Sequence, residues 1–424
     1  MSLDYQASMA RVITTLMGEI PDRVPLIYLT SEDVAARVTG LTIREMMQTP
    51  ETLAEKSIMV NNFLGGDGMN IVANPYCGPF EGLAFAKANN ANLNEVFVWK
   101  DYTTPFIREG ALCKTEKDIE NLKIPDHYTI EPWPTFFKAI AIVYERTGLG
   151  LDQFAPSLTW SSVQMLRGSQ AYLDVKKNPD LILELCEKIY ASQWNYYEAY
   201  REIAGQPAMA FQCSYAFNQH MLSFEDAWKF EGAFIARFYK ESGVPLIIHN
   251  CGFKPYHMEL IERLEQEGVN ILAVNGSHPL EIDYWVNFRE RFPHITIMGG
   301  LHVNGEMENG TEKDVEVRIK DFIQAVGKNG RLIITPTCCM PWRVPLTNIR
   351  AVTDAVAKWG RYPVNTGERV LDKTTRALKQ PFYKMRQKAI NTVFSKIPED
   401  KRAHVSDFAI KFKKKNKRLW PFGK

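Results

Sequence analysis

The chain has 424 residues, of which 45% are hydrophobic and 24% charged, and its formal net charge is +2 at pH 7. This size and composition allow one large globular domain or two modest ones and exclude a disordered chain. Residues 204–224 lie in the longest stretch without a charged side chain, and they include too many polar residues to span a bilayer. We therefore expect no stable membrane insertion.

The start of the chain, Met1-Ser2-Leu3-Asp4, lacks the basic and then apolar layout of a secretory signal. We therefore expect a cytoplasmic protein, in which cysteines remain thiols or bind metals. The cysteine count of seven is odd, and Cys338 and Cys339 are adjacent, which also argues against a disulfide framework.

Short apolar runs bounded by turn residues predict eight strands: 24–29, 69–73, 149–155, 208–214, 245–249, 270–274, 295–298 and 332–335. Helical patterns lie between them. One begins at Asn178-Pro179-Asp180 and places apolar residues at helical spacing as far as Tyr200, and another runs from Pro255 to Glu267. Strands that alternate with helices in this way predict a parallel (β/α)8 TIM barrel, with the active site at the carboxyl ends of the strands.

Residues 96–114 break the alternation. Two strand-like runs flank the turn Thr103-Thr104-Pro105, which predicts an inserted β-hairpin near the barrel mouth. No linker is evident before about Pro381, so we predict one barrel domain, residues 1–370, and a basic C-terminal extension, residues 371–424.

The extension has 16 Lys or Arg against 4 Asp or Glu, while the rest of the chain has 35 against 45. A basic arm on an acidic body can bind an anionic surface. A solvated terminal segment is the simpler interpretation.

The clearest chemical signal is a set of soft ligands at two strand ends. His249 closes the apolar run 245–248, Cys251 follows two residues later on the same side, and Cys338 follows the last predicted strand. An imidazole and two thiolates leave a tetrahedral zinc ion one open position, as in catalytic zinc sites. Each residue alone would be interpreted as a packed core residue, and Cys339 competes with Cys338 for the third position.

Further polar and aromatic residues follow predicted strands and are candidates for lining a substrate pocket: Tyr76, Cys77, Trp160, Cys213, Tyr215, His220, Asn275 and His302. A fourth metal ligand among Cys77, Cys213 and His220 is a less favoured interpretation, and His302 has the alternative of a loop residue without a role. The glycine clusters at 65–68 and 299–300 lack the spacing and context of a nucleotide-binding loop, and we expect no nucleic-acid partner.

With these residues the chain resembles the uroporphyrinogen decarboxylase superfamily, and within it the zinc-dependent corrinoid methyltransferases, of both the coenzyme M and the O-demethylase kinds. The resemblance covers about residues 8 to 365. It rests on residues 18–25, 222–230, 299–301 with 310–311, and 335–339 with 344–349, besides the ligand set.

The resemblance implies that His249, Cys251 and Cys338 bind zinc, with Cys338 favoured over Cys339 by its offset from Pro345 and Asn348. The decarboxylases carry an arginine-rich stretch after the first strand, where this chain has residues 28–33 without arginine, so porphyrinogen decarboxylation is not expected. The chain has no Asp-x-His-x-x-Gly signature of a cobalamin-binding domain, so a corrinoid (cobalamin) would be carried by a separate partner protein.

In such an enzyme zinc either polarises the ether oxygen of a methylated substrate or lowers the pKa of an acceptor thiol. The aromatics at strand ends and the hairpin favour a methoxylated aromatic, demethylated at oxygen, over a sulfonated thiol of the coenzyme M type. The basic extension would then dock an acidic corrinoid protein. A non-catalytic zinc-stabilised barrel and a decarboxylase-like protein are the remaining alternatives.

Overall fold

The structure, a computed structural model, describes residues 4–30, 32–68, 78–148, 155, 159–250, 252–276 and 279–364. The predicted second strand, all of the predicted third except Ala155, and the basic extension lie outside these ranges. None of the helices within them has the length and apolar composition needed to cross a membrane.

A parallel sheet forms the centre of the fold. Its strands are β3 (Ala210–Cys213), β4 (Leu246–Asn250), β5 (Ile271–Gly276), β6 (Thr296–Leu301) and β7 (Leu332–Pro336), and they pair in sequence order. They correspond to the last five strands predicted from the sequence. Strands β4, β6 and β7 are buried along their whole length, which explains their continuous apolar runs.

The predicted first strand, residues 24–29, lies next to β7. Leu26 pairs in parallel with Ile334, and Ile334 N–H donates to the Pro25 carbonyl at 2.9 Å. The first and last strands of the predicted set are therefore neighbours, as closure of a barrel requires.

Helices precede and connect the strands. In chain order they are α1 (Tyr5–Leu16), α2 (Glu32–Thr39), α3 (Ile43–Met46), α4 (Pro50–Leu64), α5 (Pro79–Ala88), α6 (Leu93–Val96), α7 (Glu116–Glu120), α8 (Trp133–Thr147), α9 (Thr159–Arg167), α10 (Gln170–Lys177), α11 (Pro179–Ala204), α12 (Phe224–Ala227), α13 (Ala233–Ser242), α14 (His257–Gln266), α15 (Ile282–Arg291), α16 (Glu312–Val326) and α17 (Leu346–Trp359). Two π-helical turns, Trp228–Gly232 and Val303–Met307, follow α12 and β6. The predicted start of α11 is confirmed, since the Asn178 side chain accepts from Leu181 N–H and Pro179 is the first helical residue.

Helix α1 packs against the inside of the sheet. Val12 and Leu16 form one buried cluster with Ile247, Ala273, Met298 and Ile333, which lie on the interior face of four strands. The Thr296 hydroxyl donates to the Thr15 carbonyl at 3.4 Å. The helix thus covers the end of the barrel opposite the strand carboxyl ends.

The predicted hairpin is confirmed. Strands β1 (Phe97–Val98) and β2 (Phe106–Ile107) pair antiparallel, with Phe97 opposite Ile107. Thr104 in the connecting turn binds the start of α2, so the hairpin is attached to the loop that follows the first strand.

Candidate metal centre

His249 is the central residue of a row of side chains inside the barrel. It pairs directly with Cys213 on β3 and with Asn275 on β5. Phe211 and Ile247, two residues earlier on their strands, belong to the interior cluster. Because side chains two residues apart on a strand point to the same face, the row faces the barrel interior near the strand carboxyl ends.

Three neighbours fix the imidazole of His249, which is buried. Its Nδ1 lies 2.5 Å from the amide oxygen of Asn275. The ring of Phe211 stacks on the imidazole with centroids 5.2 Å apart and planes at 29°. The His249 side chain also forms a hydrogen bond with Cys338. Since Nδ1 is occupied by Asn275, Nε2 is the ring nitrogen left to face the thiol.

Cys338 reaches this position from the loop after β7. It is the second residue beyond the strand and is half-buried. The preceding residue, Thr337, donates its backbone N–H to the Leu301 carbonyl at 2.8 Å, which holds the loop against β6. Two strand ends far apart in sequence thus place an imidazole and a thiol in contact.

The electrostatics of this pair favour a positive charge. Burial lowers the pKa of His249, but the hydrogen bond to Cys338 and the charges of Cys213 and Cys338 raise it further, so the pKa goes from 6.5 to about 9. The two cysteine side chains therefore favour the imidazolium here. The same negative groups would stabilise a bound cation in place of the proton.

The described residues include no group of three or more His, Cys, Asp or Glu side chains arranged to hold a metal. The predicted set has two members among them, and these two are in contact. Cys251, the third, lies outside the described residues and directly follows Asn250, the last residue of β4. An imidazole nitrogen with thiolate sulfurs is the donor set that suits zinc. The residues present therefore fit zinc with His249 and Cys338 as ligands and Cys251 as the predicted third.

A buried carboxylate that the sequence analysis missed organises the loops beside this row. Glu231, in the first π-helical turn, accepts the backbone N–H of Ala216 at 2.8 Å and of Trp160 at 3.3 Å. Burial, with the charge of nearby Cys213, raises the pKa of Glu231 well above its usual range. The side chain thus joins the loop after β3 to the start of α9. Its only sequence signal is a charged residue inside the helical stretch that follows α12.

A second pair that the sequence analysis missed lies at the start of α2. Glu32 and Asp33 are buried and converge on Thr104, whose hydroxyl donates to Glu32 Oε2 at 2.8 Å and whose backbone N–H donates to Asp33 Oδ1 at 2.6 Å. Asp33 Oδ2 also accepts Trp342 N–H at 3.2 Å. This acidic pair links the hairpin to the loop that carries Cys338.

Two of the predicted pocket residues, Trp160 and His220, lie in the core and on the surface respectively. The Trp160 ring is fully buried and packs against Tyr172 and Phe230 in the core, because the residue lies in the first turn of α9. His220 is exposed on the loop after β3. These positions favour packing for Trp160 and a surface location for His220.

The remaining pocket predictions differ in outcome. Cys213 and Asn275 lie in the interior row with His249, whereas Tyr215 and His302 are half-buried on the loops after β3 and β6. Burial lowers the pKa of His302. Tyr76 and Cys77 lie outside the described residues.

The fold defines the class: a (β/α)8 barrel, with the His249 row near the strand carboxyl ends. The chain belongs to the uroporphyrinogen decarboxylase (URO-D) family, whose model matches residues 7–359.

A solved structure of a methyltransferase from Methanosarcina mazei shares this fold, with a TM-score of 0.64 and 16% identity over 83% of this chain and 98% of that one. Xylanase B from Clostridium stercorarium F9 gives a TM-score of 0.34 at 10% identity, covering 58% of this chain and 95% of the other. No curated protein matches the chain.

Proposed function

We propose that the protein is a zinc-dependent methyltransferase that moves a methyl group between a small methylated substrate and the cobalt of a corrinoid carried by a separate protein. The observation that carries the proposal is the contact between His249 and Cys338 at the strand carboxyl ends, where barrel enzymes have their active sites. The name of the Methanosarcina mazei neighbour supports methyl transfer as the reaction type.

Each residue of the centre has a role in this proposal. His249, Cys338 and Cys251 would hold zinc, which when bound acts as a Lewis acid toward the heteroatom that carries the methyl group. Two thiolates and a neutral imidazole balance the charge of the ion, so the site has room for an anionic leaving group. Phe211 holds the imidazole plane and presents an apolar wall beside it.

The acidic pair at the mouth bears on the choice of substrate. Glu32 and Asp33 occupy the loop after the first strand, and Asp33 binds the backbone of the loop that carries Cys338. Burial raises the pKa of both carboxyls, and the pair itself supplies no positive charge that would hold the sulfonate of a thiol of the coenzyme M type. They are compatible with a neutral aryl methyl ether. We therefore propose O-demethylation of a methoxylated aromatic as the reaction, with transfer from methyl-corrinoid to a thiol as the alternative.

The direct test mixes the zinc-loaded full chain with Co(I) cobalamin and, separately, a panel of methoxyaromatics, methylamines and methyl thioethers. Conversion of the Co(I) spectrum to methyl-Co(III) with a methoxyaromatic is the expected result. The reverse reaction starts from methylcobalamin and a thiol. The His249→Ala variant is the control for metal dependence. A spectrum that stays unchanged in both directions, also with a corrinoid protein as carrier, would overturn the proposal.

A further inference from the structure

We infer that Asn275 is a positioning residue that fixes the tautomer and the ring plane of His249, so that Nε2 is presented to the metal. This inference rests on the proposed zinc site. Asn275 is completely buried on β5, directly paired with His249 on β4. The sequence suggested a substrate contact because Asn275 follows a predicted strand, but its amide is already engaged on both sides by the protein.

The orientation of the amide follows from its second partner. Asn275 Nδ2 donates to the Met298 carbonyl at 3.0 Å. A carbonyl oxygen only accepts hydrogen bonds, so the amide nitrogen has to face Met298. The amide oxygen then faces His249 Nδ1, as the 2.5 Å separation shows.

The tautomer of His249 follows in turn. An amide oxygen has no proton to give, so His249 Nδ1 carries the hydrogen of this bond. In a neutral imidazole the other nitrogen, Nε2, then has the free lone pair. Nε2 is also the nitrogen left to face Cys338. When a metal takes the place of the proton on Nε2, the proton on Nδ1 stays with Asn275, and the Nε2 lone pair then points to the side of the ring where Cys338 lies.

Asn275 carries no charge, and this affects the total charge of the metal site. Many metal-bound histidines donate to a carboxylate, which raises the basicity of the imidazole and its electron donation to the metal. An amide oxygen accepts the same hydrogen bond without adding a charge. The site with two thiolates therefore keeps a neutral total charge, and the metal retains more of its Lewis acidity for the substrate oxygen.

The first test is the zinc dissociation constant, measured by competition with a chromophoric chelator on the full chain. Asn275→Ala removes the acceptor, and we expect about 10- to 100-fold weaker zinc binding. Asn275→Asp restores an acceptor for Nδ1, and we expect it to recover most of that loss. Asn61→Ala is the matched control, because Asn61 is a buried asparagine on α4 that donates to the Ser57 carbonyl. This control should bind zinc as the wild type does.

The second test reads the tautomer directly. In the zinc-loaded protein labelled with ¹⁵N-histidine, long-range ¹H–¹⁵N spectra should show His249 with its proton on Nδ1 and none on Nε2, assigned by the loss of its signals in His249→Gln. A proton on Nε2 would refute the inference even if Asn275→Ala does not fold. Zinc binding within about twofold of wild type in a folded Asn275→Ala would also refute it.

These readouts separate the inference from the proposed function. If the wild type binds zinc with the expected tautomer but transfers no methyl group, the role of Asn275 stands and the proposed reaction is refuted. If the wild type does not bind zinc, both the role of Asn275 and the proposed reaction are refuted.

Discussion

Cys213 and His249 are direct partners in the parallel ladder between β3 and β4, and both side chains face the barrel interior. Cys213 therefore contributes negative charge next to the imidazole, while Cys338 forms the hydrogen bond to it. Among the residues that the structure describes, three cysteines lie near the centre or beside it in sequence: Cys213, Cys338 and Cys339. The structure assigns them different positions.

The first prediction separates these cysteines by zinc content. Cys338→Ser and His249→Ala each remove a ligand and should weaken zinc binding by more than about 100-fold, a larger loss than removal of a residue outside the ligand set. Cys339→Ser and Cys213→Ala should stay within a few-fold of wild type. Metal analysis after dialysis against a weak chelator measures all four. Loss of zinc from Cys339→Ser with retention in Cys338→Ser would reverse the assignment.

The second prediction concerns the acidic pair. Burial, with a smaller contribution from the charge of Asp33, raises the pKa of Glu32 from 4.5 to about 7. The folded protein therefore holds a proton that the unfolded chain releases, and this contribution to stability is lost as the pH rises from about 4.5 through 7. Glu32→Gln should match the wild type near pH 5 and exceed its unfolding free energy by about 1 to 3 kcal/mol at pH 8.

Asp33→Asn, at the neighbouring residue, is the comparison, and we expect it to lower the unfolding free energy. Asp33 accepts from the backbone N–H groups of both Thr104 and Trp342. An asparagine offers one acceptor and one donor there, so one buried N–H is left without a partner, at about 1 to 3 kcal/mol. Urea unfolding of both variants at pH 5 and pH 8 checks the pair. Equal effects of the two substitutions would contradict the prediction.

The third prediction concerns a buried ion pair away from the centre. His127 Nε2 lies 2.9 Å from Glu81 Oε2, and its Nδ1 lies 2.9 Å from Asn195 Oδ1. Burial lowers the pKa of His127, but Glu81 and Asn195 raise it further, so the net shift is upward. The stability that this pair contributes is fully present below about pH 6.5 and is lost as the pH rises through the raised pKa.

Glu81→Gln removes the charge partner, and we expect it to cost about 3 to 5 kcal/mol of unfolding free energy at pH 6, with a smaller loss at pH 9. Glu187→Gln breaks an exposed ion pair with Arg237 and should cost less than about 1 kcal/mol at either pH. Denaturant unfolding at the two pH values gives the comparison. A loss of unfolding free energy in Glu81→Gln that is larger at pH 9 than at pH 6 would contradict the prediction.

The fourth prediction concerns Gly252, next to the predicted ligand Cys251. A Cβ at Gly252 would lie 1.9 to 2.1 Å from the Asn218 amide atoms. That amide cannot move freely, because its Nδ2 donates to Asn250 Oδ1 at 3.0 Å and to the Tyr215 carbonyl at 3.1 Å. Gly252→Ala should therefore displace the loop, lowering the unfolding free energy by about 1 to 3 kcal/mol and weakening zinc binding. In the Asn218→Gly background the same substitution should cost little.

The strands that the sequence predicted well are those with the strongest local signal. Strands β4 and β7 are continuous apolar runs because they are buried on both faces, and α11 begins at Asn178 and Pro179, whose capping preferences are local. The contact between His249 and Cys338 could be predicted because each residue follows or ends a predicted strand, and the carboxyl ends of parallel strands meet at one edge of the sheet. The family resemblance pointed to the same two residues.

Other features depend on contacts between distant segments. In the sequence, Asn275 does not differ from other polar residues at strand ends, because its role depends on the Met298 carbonyl, which orients its amide. Trp160 has the position of a pocket aromatic, but Tyr172 and Phe230 cover its ring. Glu32 and Asp33 gain their partners from the hairpin and from the Cys338 loop, which lie about 70 and 310 residues away in the chain. Periodicity and motif spacing do not contain such information.

Helix α1, which packs Val12 and Leu16 into the barrel from the end opposite the metal centre, has a kinetic consequence for the proposed reaction. In the proposed reaction, substrate and cobalt would both use the entrance at the strand carboxyl ends. A carrier protein seated over that entrance blocks diffusion of the small molecule, so the methylated compound binds first and its demethylated product leaves after the carrier has departed. Initial-rate studies should accordingly give the pattern of a compulsory-order mechanism, with the demethylated product as a competitive inhibitor against the methylated compound.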